Sequence, residues 1–286
     1  MKQKFAFIDE HRSCCSVVLL CRALHVSRSA YYAYKDRKPS KRDRDNAGLL
    51  RALVQAHQKY PSMGLDSLFH FLRPSFGASR ARIHRLMVKH NIHSSRRAVY
   101  KRTTNSNHSR PISPNLLQRD FDVPRPNQAW VGDITYIPTD EGWLYLATVQ
   151  DLCTRKVVGH ACSSRIDAAL VCEAMQRALC RQAPDRGLIF HSDRGSQYSS
   201  SAYRLLLEQN GIRQSMSRRG DPYDNAVAEN FFSCLKCELV SFRRFHTRED
   251  AELAIFRYIE GYYNTVRPHS GIGWMTPNAF EKQAWL

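Results

Sequence analysis

Three acids stand where an acid is expensive. Asp133 interrupts the apolar run "AWVGDITYIP" (129–138), Asp193 ends the stretch "GLIFHSD", and Glu229 follows with 35 residues between it and Asp193. On a strand, Asp133 shares a face with Val131, Thr135 and Ile137, because side chains alternate with a period of two. Burying an unpaired carboxylate on such a face is costly. Asp193 emerges where its strand stops, and Arg194 and Gly195 then turn the chain. Glu229 lies about one turn into a helical pattern running from Asn225 to about Val240, with Lys236 two turns later on the same face. A strand centre, a strand end and a facing helix can bring three acids into one pocket, and concentrated negative charge calls for a cation. Hard oxygen ligands select magnesium, with manganese as substitute. A pair of such ions ~3.5–4 Å apart activates a water or a 3′-hydroxyl and stabilises the leaving oxygen of a phosphodiester. Spacing alone leaves another reading open, in which the acids are caps and ion-pair partners. On that reading Asp224 caps the helix, Asp151 ends a strand or pairs with Arg155, and Arg194 is a partner for the acids.

The elements that position these residues follow from periodicity. Segments 129–138, 143–151 and 155–163 are rich in Val, Ile, Tyr and Thr and read as three antiparallel strands, with turns at Thr139–Gly142 and Cys153–Thr154. "DAALVCEAMQRALCRQ" (167–182) is an amphipathic helix and "GLIFHS" a buried strand. "SAYRLLLEQNG" (201–211) is a helix closed by Gly211, followed by a short strand at 212–216, a loop, and the helix bearing Glu229. That order makes an α/β layer of ribonuclease-H-like type. Ahead of it, residues 16–34 have the layout of a helix-turn-helix, with Ser27 as N-cap and Arg28 opening the second helix. After a charged linker (35–45), three further helices follow, the last with Arg80, Arg82, Arg85 and Lys89 around Ile83, Leu86 and Met87. The expected organisation is a helix-turn-helix segment at 1–40, a second helical unit at 41–93, a basic linker at 94–125, the catalytic core at 126–240, and a C-terminal helical part and tail at 241–286.

Charge supports that division. Residues 1–128 hold 25 Lys+Arg against 8 Asp+Glu, whereas residues 129–286 hold 18 of each, so the net +17 belongs to the front of the chain. A basic region joined to a neutral one suggests polyanion binding, with a merely solvated basic surface as the alternative. No apolar run approaches the roughly 20 residues of a membrane span, and the N-terminal patch stops at Asp9 and Glu10, unlike a secretory signal. A cytoplasmic, nucleoid-associated protein without membrane contact is expected. Nine cysteines, an odd number, read as free thiols. Cys234 and Cys237 form a C-x-x-C without a second ligand pair nearby, and at this spacing on a helix they are core residues rather than a zinc site.

The motifs "WVGDITYI", "HSDRGSQYSS", "MSRRGDPYDNAVAENFFSCLKCEL" and "YYNTVRPHSGIGWMTPNAF" together resemble the bacterial insertion-sequence transposases encoded as a second reading frame, with a core similar to that of retroviral integrases. The resemblance covers nearly the whole chain. It implies a metal-binding DDE triad on Asp133, Asp193 and Glu229, two divalent ions, and cleavage and strand transfer without a covalent protein intermediate. It also implies a basic residue seven positions after the glutamate, here Lys236. Arg218 and Arg219, on the loop before the helix, would hold phosphates near the metals, and Arg28, Arg80 and Arg82 would contact the element's terminal inverted repeats. Target DNA, further copies of the chain in a synaptic complex, and the product of an upstream frame, alone or as a frameshift fusion, are the implied partners. Trp274 stands where the family has a smaller aromatic. Two other readings use the same residues: a nuclease that only hydrolyses, and a DNA-binding regulator without chemistry. Serine and tyrosine recombinases need a nucleophile in an arginine-rich site, and the tyrosines here fall where packing explains them.

Overall fold

Serines cap several helices of the basic front. The computed structural model describes residues 1–95, 111–218 and 222–284, which divide into two compact units, Met1–Leu53 and Val54–Leu286. In the first unit α1 (Lys2–His11), α2 (Val17–Ala23) and α3 (Arg28–Lys35) close around Phe5, Ile8, Cys21 and Tyr31. Ser16 Oγ accepts from Leu19 N–H and Ser27 Oγ from Ala30 N–H, the side-chain caps that open α2 and α3. Two helices therefore stand where the pattern put them, with α1 as an additional helix that the pattern did not show. α4 (Lys41–Lys59) runs through the boundary between the units. It starts inside the stretch read as a charged linker because Ser40 and Asp43 cap each other: Ser40 Oγ accepts Asp43 N–H, and Asp43 Oδ2 accepts Ser40 N–H, both at 3.2 Å.

In the second unit α5 (Leu65–Phe76) and α6 (Arg80–Lys89) bury Leu68, Leu72, Ile83, Leu86 and Met87. The five-stranded sheet comprises β1 (Ala129–Thr139), β2 (Gly142–Asp151), β3 (Val157–Ser163), β4 (Ile189–Ser192) and β5 (Arg213–Met216), in the order β3-β2-β1-β4-β5. The first three strands pair antiparallel, and β4 and β5 join parallel. One face of the sheet is covered by α7 (Ala168–Gln182) and α8 (Ser201–Gln209) over Trp130, Val149, Val158, Met175, Phe190 and Tyr203. Gly159 lets α7 approach β3, since a Cβ there would collide with the Ala174 carbonyl and with Ala178. The C-cap of α8 is Asn210, one residue earlier than the expected Gly211, which follows with the left-handed φ of +68°. The other face is covered by α9 (Ala226–Glu238) and α10 (Arg248–Tyr258), with Phe231, Leu235 and Ile255 on Ile137 and Leu146. α11 (Pro277–Ala284) closes the described chain.

Part of the region expected as a basic linker packs on the core. Residues 96–110 lie outside the described residues. Residues after 110 run along the sheet: Ser113 Oγ donates to Gln214, Leu116 N–H donates to Ser215 Oγ, and Leu117 is buried with Ala129 and Val131. Leu117, 6% exposed, and the half-buried Leu116 bring apolar surface whose burial helps to fix this stretch.

Candidate active site

Strand register brings the first two acids together. In the parallel β1–β4 pair Gly132 stands opposite Ser192, so Asp133, inside β1, and Asp193, just past the end of β4, are neighbours across the pair. Both are half-buried. Asp133 Oδ1 accepts Ile134 N–H at 2.8 Å, and Asp193 Oδ1 accepts Gly195 N–H at 2.9 Å. A Cβ on Gly195 would lie 3.0 Å from that same Oδ1 and 3.0 Å from Gln197 Oε1, so the tight turn that aims Asp193 depends on a bare backbone. Arg194 donates from Nε to the Ser217 carbonyl at 2.7 Å.

α9 packs on the sheet through Ala228, Phe231, Phe232 and Leu235. It leaves Glu229 exposed and Lys236 half-buried, seven residues apart along one line of the helix. Burial, and then the negative charge of Asp193, push the Asp133 carboxyl well above its usual range; Glu229 adds to this, while the Ile134 amide and the Lys236 ammonium oppose it. Burial lowers the pKa of Lys236, and Asp133 works against that. Among the described residues no three His, Cys, Asp or Glu side chains form a ready-made cation cage. The three acids are thus near enough to repel without closing on a common point. Three hard oxygen donors whose repulsion a positive charge relieves fit a divalent cation of the magnesium type.

The carboxylate just before α9 has a different task from the one its position suggested. Asp224 is 1% exposed and does not cap α9, whose N-cap residue Asn225 makes no side-chain capping bond. Instead its oxygens accept Arg218 N–H at 2.8 Å, Arg218 Nε and Nη2 at 3.1 and 3.0 Å, Arg119 Nε at 3.1 Å and Asn115 Nδ2 at 3.0 Å. These donors, the Arg218 side chain first, hold its pKa well below the usual carboxylate range. A single buried acid thereby ties residues 115–119, the end of the β5 loop and the start of the Glu229 helix together. Sequence reading missed Asn115 and Arg119, which lay in a stretch taken as linker and had no local partner to betray them. Asp151 accepts Asn127 N–H and Thr154 N–H, each at 2.7 Å, so it is a strand-end turn residue.

The proposed DNA contacts are dispersed. Arg28 is exposed on the first turn of α3 in the first unit. Arg80 is exposed and ion-paired to Asp66 at 2.6 Å, and Arg82 is half-buried on the same first turn of α6. Arg218 is committed to Asp224, and Arg219 lies outside the described residues. All nine cysteines are free thiols, with Cys234 beside Asn230 and Arg267. Among the described residues no helix is long and apolar enough to cross a membrane.

Comparison with known proteins agrees with this architecture. The family description "Integrase core domain" matches residues 123–222 and, in a second form, 210–277. A 31 kDa protein of insertion element IS600 from Shigella sonnei is 40% identical over 268 residues, 92% of this chain and 98% of its own length. Transposase InsF for insertion sequence IS3A from Escherichia coli K12 is 37% identical over 286 residues, 98% of this chain and 99% of its own. Among solved structures, a chain of the simian T-cell lymphotropic virus intasome aligns over 80% of this chain and 74% of its own, with 15% identity and a TM-score of 0.48. The catalytic core of BIV integrase aligns over 56% and 96%, with 18% identity and a TM-score of 0.40.

Proposed function

The chain belongs to the insertion-sequence transposases of the IS3 type with an integrase core, and on that premise we propose that it cuts and joins DNA through Asp133, Asp193 and Glu229. It is a polynucleotidyl transferase of DNA integration. The observation that carries the site assignment is the register of β1 and β4, which sets Asp133 beside Asp193 under the helix of Glu229. Magnesium held by these three carboxylates, as a pair of ions, would supply Lewis acidity to a water or 3′-hydroxyl attacking a phosphodiester and to the oxygen that leaves.

The chain's own residues then have separate tasks. The Gly195 amide fixes the orientation of the Asp193 carboxylate. Lys236, a helix position two turns from Glu229, stands where its ammonium can hold a strand phosphate beside the acids. Arg218 positions the start of α9 through Asp224, in addition to the phosphate contact expected of it. Arg28 on α3 and Arg80 and Arg82 on α6 contact the terminal inverted repeats by backbone phosphates. Assembly of further copies on two element ends, and an upstream-frame partner or fusion, complete the reading.

The test is to give the protein a pre-cleaved element end with a free 3′-hydroxyl, a target duplex and magnesium, and to separate joined from hydrolysed products. Joined products are expected. Hydrolysis without any joining would favour a nuclease, and no magnesium-dependent cutting at all would favour a DNA-binding regulator.

A further inference from the structure

The tail motif "VRPHSGIGW" (266–274) finds no task in the three-acid site. Its residues instead help to line a cavity of 690 Å³, together with Gln150, Arg155, Asn230 and Trp274, and none of the three acids is among the described residues lining it. On α9 the cavity meets a different line of side chains, Val227, Asn230, Phe231 and Cys234, from the one that bears Glu229 and Lys236.

The charged side chains that line the cavity differ in how they are paired. Arg267 is neutralised by Glu238, with Nε at 3.0 and 3.1 Å and Nη2 at 2.9 Å from its oxygens. Asp66 is neutralised by Arg80, and burial keeps His269 neutral, pushed down to about 3. Arg155 has no such partner. Among the described residues no carboxylate forms an ion pair with it, and its Nη2 reaches the Phe121 carbonyl at a long 3.5 Å. Burial lowers the pKa of this guanidinium, and Tyr263, Asp151 and Asp122 work against that.

Its backbone is held in place at a cost. Arg155 takes a φ of +60°, where a side chain is disfavoured. Gln150 Nε2 secures the turn by donating to the Arg155 carbonyl at 2.7 Å and to the Tyr263 hydroxyl at 3.0 Å. The volume is of the order of small-ligand sites and far more than a bare oxyanion fills. Asn230 and Ser270 offer hydrogen bonds, and the Trp274 ring, stacked on His70 at 4.6 Å and 4°, adds an aromatic wall.

We infer that this cavity is a nucleotide site, in which Arg155 holds the phosphate and the remaining volume takes the sugar and base. A guanidinium is suited to phosphate by its forked donors. The nucleotide belongs either to a DNA strand or to the free pool, and the chemistry of recognition is the same.

Calorimetric titration of the full chain in EDTA separates these sources and is independent of the three-acid site. The probes are dAMP, inorganic phosphate, and a duplex with a single-stranded 3′ overhang. The variants are Arg155→Gln and Gly271→Tyr. Gly271 is exposed, and a Cβ there meets nothing nearer than Arg155 Nε at 3.9 Å, so tyrosine can fill the cavity without a backbone clash. Binding of dAMP at least about tenfold tighter than phosphate, and weakened about tenfold or more in both variants, is expected. Equal weakening for the overhang duplex assigns the nucleotide to a DNA strand, and weakening for dAMP alone assigns it to a free nucleotide. The inference is overturned by absence of dAMP binding, by phosphate binding as tightly as dAMP, or by a folded Gly271→Tyr protein that binds dAMP undiminished.

Discussion

At the scale of single residues, Asp133 works against the fold that holds it. An acid whose pKa is raised in the folded state destabilises that state above its unfolded pKa, and the penalty vanishes where both states are protonated. Asp133 is such a group, raised by burial and by Asp193. Asp133→Asn should therefore abolish strand transfer while stabilising the protein at pH 7 by roughly 1 kcal/mol or more, a gain that disappears below about pH 4. Thermal midpoints at the two pH values check this. Lys236→Ala, which removes a phosphate contact but no carboxylate, should weaken DNA binding and reduce its salt slope by about one ion rather than silence the chemistry. Binding isotherms over a salt series measure it.

At the scale of elements, the site depends on how β1, β4 and α9 are held together. Asp224→Asn removes the charge that five donor atoms from Asn115, Arg119 and Arg218 share. It should cost about 1–3 kcal/mol and raise amide exchange in the first turn of α9, lowering strand transfer through Glu229 while Asp133 and Asp193 stay in place. Gly159→Ala tests the other face of the sheet, where α7 sits against bare backbone, and should cost about 1–3 kcal/mol in a urea titration without altering metal dependence. These two sites also show what a sequence reveals. Strand alternation around Asp133, the apolar run into Asp193 and the helical period through Glu229 are local patterns, and all three could be read directly. The Asp224 clamp joins residues 105 and 109 positions apart, and no period or spacing encodes such a pairing. The α4 start was misread for a related reason: the Ser40–Asp43 box is local, but its charged surroundings resemble a linker.

At the scale of the whole molecule, two buried histidines set the acid limit. His191, between Ser215 and Ser217, is pushed down to about 4, and His269, beside Arg267, to about 3, chiefly by burial. Both are neutral when folded, while the unfolded chain takes up their protons below about pH 6.5. Their contribution is complete above that pH and is lost as pH falls towards 4, about 3 kcal/mol for each histidine. Urea midpoints between pH 7.5 and pH 4.5 in the Asp133→Asn background, which removes the opposite-signed acid, measure the slope. The excess of positive charge before residue 129 acts at this scale too, giving DNA affinity a steep decline with salt. The central claim, that three carboxylates hold the ions of DNA strand transfer, is tested most directly by Asp193→Asn on a pre-cleaved element end with magnesium. Loss of joined product by at least on the order of 10²-fold, with the variant folded and still binding the end, is expected; joining at the unmodified protein's rate would contradict it.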